Sequence, residues 1–252
     1  MKNKTLPLFN GFIFGFRWSL DKFALFFSIL LIYALVVLVG FLAWLVLLSL
    51  PLLRTSDYFT IFQLILGLFV LSVIFTIDLG FIKICLDIHD TGKAQLKTLF
   101  SYVHRAVQGV SLMFLYILGT LLGLLFFIVP GVIFAIRSMF ALYFFVDKDM
   151  SVIDAFQKSF HITKGYTISL LPFVIFSLLF PADISSSVSF LSKGMALVNM
   201  PFLSGFLSSI LLAGILFYPV FYLAGAYVYR FLSVRTDNEY SKITFKQEIS
   251  IE

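Results

Sequence analysis

Long apolar stretches separated by short polar segments dominate the pattern along this chain. Runs without a charged residue cover residues 23–53, 58–77, 106–136, 165–182 and 194–229. A transmembrane helix needs roughly 17 to 25 predominantly apolar residues to cross the hydrocarbon core of a bilayer. Each run is therefore long enough to span a membrane, and the pattern predicts an all-α, polytopic membrane protein.

The stretch from Ala106 to Val146 is the one around which the other spans are arranged. Its only charged residue is Arg137. As one helix it would be about 60 Å long, twice the ~30 Å thickness of the hydrocarbon core, so it must fold back. Pro130-Gly131 lies near its middle; proline lacks a backbone donor and glycine accepts a positive φ. The sequence predicts a hairpin of two spans with its turn at Pro130-Gly131.

Positive charges alternate between the segments that separate six predicted spans. Lys and Arg number 4, 1, 4, 0, 3, 1 and 4 from the N-terminal segment to the tail, and Arg137 completes the 18. Because cytoplasmic segments carry an excess of Lys and Arg, this alternation places both termini in the cytoplasm. The predicted spans are 23–50, 58–82, 107–129, 132–146, 166–182 and 202–229. Residues 1–232 form one transmembrane domain and 233–252 a polar cytoplasmic tail.

Composition supports this assignment. Of the 252 residues 61% are hydrophobic and 12% are charged, against about a quarter charged in soluble domains. The mean hydropathy is +1.05. The net charge of +5 follows from the distribution of Lys and Arg around the spans, so no nucleic-acid partner is predicted. Cys85 is the only cysteine, which excludes an intrachain disulfide.

Three amphipathic helices are predicted on the cytoplasmic side, in residues 5–22, 96–105 and 151–165. Each precedes a pair of spans by 13 or 14 residues, which suggests three parallel helix-plus-hairpin repeats. The basic faces could contact anionic lipid headgroups, or the helices could pack together and seal the cytoplasmic side. The basic residues predicted to contact lipid or another ligand are Lys97, Arg105, Lys158 and Lys164.

Two charged residues lie inside predicted spans. Asp78 is near the cytoplasmic end of span two, where contact with water is the favoured interpretation and ion or proton coupling the alternative. Arg137 is expected to extend toward the outer surface, with an anionic ligand or headgroup as the alternative. Their predicted depths differ by enough that the two side chains should not meet.

Small residues at four-residue spacing predict close helix packing. They are Gly119 and Gly123 in span three, and Gly205, Ser209 and Ala213 in span six. Residue patterns of catalytic and metal sites are not found: the three histidines have no metal-ligand spacing, and neither a P-loop nor a GxSxG elbow occurs. The sequence thus predicts no catalytic residue, cofactor or metal, and a protein that is not an enzyme.

Residues 130–165 carry a further pattern. It joins Pro130-Gly131, Arg137 with nearby aromatic residues, Asp147, Ser159 and Lys164-Gly165. This combination resembles the YciC-like bacterial inner-membrane proteins and the membrane domain found with some glycerophosphoryl diester phosphodiesterases. The resemblance implies a multi-span protein of the bacterial inner membrane. It implies no enzyme activity, because the phosphodiesterase chemistry belongs to a separate soluble domain.

Three functions agree with these observations. The first is a non-enzymatic scaffold, assembly or envelope-homeostasis component of the inner membrane, with membrane lipids, anionic ones among them, and a membrane protein as partners. The second is a transporter or channel for a lipid or other small substrate, which requires a cavity between the spans. The third, an auxiliary membrane module of a lipid-degrading enzyme, rests on the resemblance alone.

Overall fold

The computed structural model describes residues 6–49, 59–179 and 217–235, and every regular element within these ranges is helical. Two short 3₁₀ turns, Leu96–Phe100 and Val103–Arg105, connect the third helix to the fourth. The α-helices of the described part are α1 Leu8–Asp21, α2 Phe23–Ser49, α3 Phe59–Thr91, α4 Ala106–Phe126, α5 Ile128–Ser138, α6 Ala141–Asp147, α7 Val152–Ile162, α8 Thr167–Leu179 and α9 217–235.

Within the residues that the structure describes, four helical segments are long and apolar enough to cross a membrane. They are Phe23–Val46, Ile61–Thr91, Leu96–Phe126 and Ile128–Asp147. The all-α prediction is confirmed, and the four segments suggest a membrane protein. Predicted spans five and six include residues 180–216, which lie outside the described ranges, so the count of six stays a prediction.

The central hairpin consists of α4 as its first arm and of α5 followed by α6 as its returning arm. Phe127 is extended, with φ −161° and ψ 149°, and separates α4 from α5. The predicted turn at Pro130-Gly131 is wrong by three residues, because both residues belong to the first turn of α5. A proline is tolerated there, since the first N–H groups of a helix have no partner within the helix.

The buried core is concentrated toward one end of the bundle. This charged end contains the C-terminal turns of α3 and α6 together with Arg230 of α9, and the apolar end contains Phe127. Fully buried side chains near the charged end include Phe81, Leu86, Phe145 and Tyr229. Toward the apolar end many large side chains are exposed, as expected for surfaces in lipid; examples are Leu38, Val39 and Phe41 of α2, Leu64, Ile65 and Leu68 of α3, and Leu121, Leu125 and Phe126 of α4.

Helix α1 is the first of the predicted amphipathic helices, and the structure confirms it as a helix. Its buried face consists of Gly11, Gly15 and Ser19. A Cβ atom on Gly15 would lie 2.4 Å from the backbone carbonyl oxygen of Val220 in α9. Helix α1 therefore packs on α9 through its smallest residues, and its large apolar side chains face away from the protein; these are Phe9, Ile13, Phe16 and Leu20.

The predicted amphipathic helix in residues 96–105 is wrong as an α-helix. The chain forms two 3₁₀ turns there, and Leu99 is completely buried. A Cβ atom on Gly80 of α3 would lie 1.9 Å from the carbonyl oxygen of Leu99. The absence of a side chain on Gly80 thus lets this segment lie directly against α3, and this contact overrides the weak helical pattern.

Helix α7 confirms the third predicted amphipathic helix, and it begins with a capping box. The backbone N–H of Asp154 donates to Ser151 Oγ at 3.2 Å, and that hydroxyl donates to the Asp154 carboxylate at 2.7 Å. Gly165 follows with φ +86°, a backbone conformation that glycine adopts without strain. Its buried face consists of Ala155, Phe156, Ser159 and Ile162, whereas Ile153 is 65% exposed.

The order of elements follows the predicted repeat only in part. Helix α1 precedes α2 and α3, and α7 precedes α8 and α9, but the middle unit begins with 3₁₀ turns. The threefold repeat stays a prediction. Helix α9 continues to residue 235, three residues beyond the predicted domain boundary, and residues 236–252 lie outside the described ranges.

Candidate functional site

A buried aspartate joins three helices in the interior of the bundle. Asp78 of α3 is 5% exposed, and its Oδ1 atom accepts hydrogen bonds from the hydroxyl groups of Tyr33 in α2 and Tyr218 in α9. The Tyr218 bond is 2.6 Å long, and the two hydroxyl oxygens are 3.2 Å apart. The aromatic ring of Phe81 packs against Tyr218 at 4.9 Å between ring centroids. The carboxylate is thus surrounded by phenol groups and apolar rings.

This environment corrects the expected contact of Asp78 with water. The protein, through two tyrosine hydroxyls, replaces the hydration that a carboxylate needs at low dielectric constant. No ion pair joins Asp78 to Arg137 in the described part of the chain, in agreement with the predicted difference in depth. A buried, hydrogen-bonded carboxylate can fasten three helices or take part in proton coupling, and Asp78 is a candidate for both.

A second polar cluster connects three helices at the charged end. Arg230 of α9 donates two hydrogen bonds of 2.7 Å to Asp147, at the end of α6, and its Nε atom donates to Asp90 of α3 at 3.0 Å. Tyr229 donates to Asp147 at 2.8 Å, and His89 lies 3.0 Å from Asp90. The side chains of Asp147 and Arg230 are 8% and 18% exposed. Arg230 therefore bridges two carboxylates that are 57 residues apart in the sequence.

Arg137 has a structural role through its backbone. Helix α5 ends at Ser138, and the Arg137 carbonyl oxygen accepts hydrogen bonds from Ser159 Oγ at 2.7 Å and Thr163 Oγ1 at 3.4 Å. The guanidinium lies 5.5 Å from the ring centroid of Phe160. The side chain thus turns toward α7, which corrects the expected extension toward the outer surface. Its Nε atom is buried and has no hydrogen-bond partner among the described residues.

Replacing Ser159 by alanine is expected to destabilise the protein by about 1 to 2 kcal/mol, because a buried carbonyl would lose its shorter hydrogen bond. Cys85 is the only cysteine and is completely buried, so the temperature at which it reacts with a thiol-specific dye reports unfolding. Ser111→Ala is the matched control, because Ser111 is exposed and its hydroxyl bonds only within α4, at 2.8 Å. Equal unfolding temperatures for the two variants would contradict the proposed contact.

The four basic residues predicted to contact lipid or another ligand lie in two separate segments of the chain. Arg105 bonds to Asp149 and donates to the Met150 carbonyl at 3.0 Å, and the exposed Lys97 belongs to the same connection between α3 and α4. Lys158 and Lys164 are exposed on α7 and just after it. Lys97 and Arg105 therefore belong to one segment of the chain, and Lys158 and Lys164 belong to another.

The predicted packing glycines of span three lie inside the hairpin. A Cβ atom on Gly119 would be 2.3 Å from the ring of Phe134, and one on Gly123 would be 2.7 Å from the Cα atom of Gly131. These contacts are within one chain, between α4 and α5. Gly205, Ser209 and Ala213 lie outside the described ranges.

Sequence reasoning missed several residues that hold the helices together. Tyr33, Tyr218 and Arg230 carry no local signal, because their partners lie on other helices. Gly11 and Gly15 did carry one: with Ser19 they form a small-residue pattern at four-residue spacing, the same pattern that was recognised in span three.

Among the described residues no group of three or more His, Cys, Asp or Glu side chains could hold a metal ion. No family model matches the chain, and no curated protein and no solved structure shows significant similarity to it.

Proposed function

We propose that this protein is a non-enzymatic scaffold or assembly component of a bacterial inner membrane, with both termini in the cytoplasm. The orientation is supported by the alternation of Lys and Arg along the chain. The charged end of the bundle then faces the cytoplasm, and the apolar end lies toward the outer leaflet.

The main support for the proposal is that both buried carboxylates of the described part form hydrogen bonds that join neighbouring helices. Asp78 joins α3 to α2 and α9, and Asp147 joins α6 to α9. A packed core with polar bonds across helices favours a rigid body over one that opens and closes. Such a body can present its exposed apolar surfaces to other membrane proteins at a constant geometry.

Transport of a small substrate is the second candidate, and Asp78 is the observation that favours it. A carboxylate inside a membrane-spanning segment is costly and often marks an ion or proton pathway. The resemblance to phosphodiesterase-associated membrane domains supports the third candidate, an auxiliary module, without a structural observation of its own.

The test combines partner recovery with a flux measurement. The full-length protein would be extracted in native membrane discs, and retained proteins would be quantified against an unrelated polytopic protein. Asp78→Asn is the informative variant, because an amide oxygen can still accept from both tyrosines but cannot bind a proton at neutral pH.

A scaffold is expected to retain a near-stoichiometric protein partner, equally in the wild type and in Asp78→Asn. Proton flux in proteoliposomes should stay at the level of empty vesicles for both. Absence of any enriched protein, together with a flux that the Asp78→Asn variant abolishes, would overturn the proposal in favour of transport.

A further inference from the structure

A cavity of about 600 Å³, lined by polar residues, lies at the charged end. It lies between α3 and residues 96–105, which contain both 3₁₀ turns and are called the 3₁₀ segment. Lys83 and Asp87 of α3 form one wall, and Lys97 and Ser101 of the 3₁₀ segment form the other. Asp149, which follows α6, also lines it. Three separate parts of the chain therefore converge on this cavity.

The walls of the cavity are held in place by contacts that are independent of any ligand. The buried Leu99 lies against Gly80 and fixes the 3₁₀ segment on α3. The hydroxyl of Tyr102, another lining residue, donates to the Val146 carbonyl at 2.6 Å. Arg105 holds Asp149 through an ion pair. The cavity is thus a built feature of the fold.

The charges of the cavity sum to one positive charge when they are counted together with Arg105, which pairs with Asp149 but does not itself line the cavity. Lys83 and Asp87 form an ion pair of 2.9 Å, and Asp149 is paired with Arg105, so these four charges compensate one another. Lys97 is exposed and forms no ion pair with any residue that the structure describes. One cation, Lys97, therefore remains for an anionic ligand.

An apolar surface adjoins this polar cavity. The same connection carries exposed large hydrophobic side chains, and α4 continues the surface from Val107, which is 81% exposed; the others are Leu96, Phe100 and Val103. A polar cavity beside exposed apolar side chains, at the end of membrane-spanning helices, fits an amphiphile whose headgroup is polar and whose chains lie in the bilayer.

We propose that this cavity binds the headgroup of one anionic phospholipid, with Lys97 as the residue that binds the phosphate. The surface potential of an anionic leaflet already attracts basic residues at this level, and the cavity adds a defined position for one headgroup. The proposal concerns a lipid site and does not depend on whether the protein acts as a scaffold.

The test uses the full-length protein in detergent with added phosphatidylglycerol or phosphatidylcholine, and native mass spectrometry counts the lipids that remain bound. Lys97→Glu is the informative variant. Lys93→Glu is the matched control, because it makes the same change of net charge at an exposed residue outside the cavity. Soluble glycerol phosphate is added in a competing arm.

The expected result is one retained phosphatidylglycerol in the wild type and in Lys93→Glu, and binding that is weaker by about tenfold in Lys97→Glu. Equal retention in Lys97→Glu and the wild type, equal losses in both variants, or equal binding of phosphatidylcholine would each overturn the proposal. Displacement of the lipid by millimolar glycerol phosphate would assign the cavity to a soluble phosphate instead.

Discussion

Replacing Gly80 by leucine is expected to destabilise the protein by about 3 kcal/mol and to displace the turn Leu96–Phe100 from α3. A Cβ atom at this position would lie 1.9 Å from the carbonyl oxygen of Leu99 and 2.4 Å from its carbonyl carbon. Both are backbone atoms, so a side-chain rotation cannot relieve the clash. The segment must move, and the completely buried Leu99 side chain then leaves its position in the core.

Gly67→Leu provides the control for this prediction, because Gly67 lies in the same helix and has no atom within 4 Å of its Cβ position. Leucine favours a helix over glycine by up to about 1 kcal/mol, so the control should be neutral or slightly more stable. The measurement is the temperature at which Cys85 becomes reactive. A similar decrease in both variants would show that the Gly80 contact is not what holds the 3₁₀ segment.

The sequence was sufficient to predict the helical class and the places where long helices lie. Hydrophobic runs of this length have few alternatives in a membrane, because a spanning segment must satisfy its backbone hydrogen bonds internally. The capping box at Ser151 was also predictable, since a hydroxyl and a carboxylate three residues apart bond within the same turn. These features depend on neighbours in the sequence.

The errors arose where a local pattern was given the wrong meaning or was overridden. Pro130 was interpreted as part of a chain reversal. A proline fits the first turn of a helix equally well, because no hydrogen bond within the helix is lost there when the N–H is missing. The chain reverses at Phe127 instead. In residues 96–105 only a short stretch of sequence shows apolar residues at helical spacing. The contact of Leu99 with Gly80 determined the conformation instead.

The candidate site was predictable only as separate residues. Asp78 was identified from hydropathy as a charge inside a predicted span, but its partners Tyr33 and Tyr218 are 45 and 140 residues away. Likewise, Asp147 was recognised only as part of the pattern in residues 130–165, and Arg230 was not recognised. Pairing of polar groups between helices depends on how the helices pack, and a single sequence contains no direct record of that packing.

Replacing Arg230 by alanine is expected to destabilise the protein by about 3 kcal/mol, because it leaves the nearly buried Asp147 carboxylate without its cation. Asp90 is 39% exposed and can be solvated, so most of the effect should come from Asp147, whose side chain is 8% exposed. Arg17→Ala is the matched control, because Arg17 is exposed on α1 and lies outside the cluster. The thermal reactivity of Cys85 measures both.

A double-mutant cycle separates the loss of the ion pair from the cost of the remaining charge. Asp147→Asn removes the charge but keeps an oxygen that accepts from Tyr229. In the Arg230→Ala background, Asp147→Asn is therefore expected to restore stability by about 1 to 2 kcal/mol, although alone it should destabilise the protein. Additive losses would mean that the two side chains act independently. In that case the helix ends would be held by apolar packing around Tyr229 and Phe144, whose ring centroids are 5.0 Å apart.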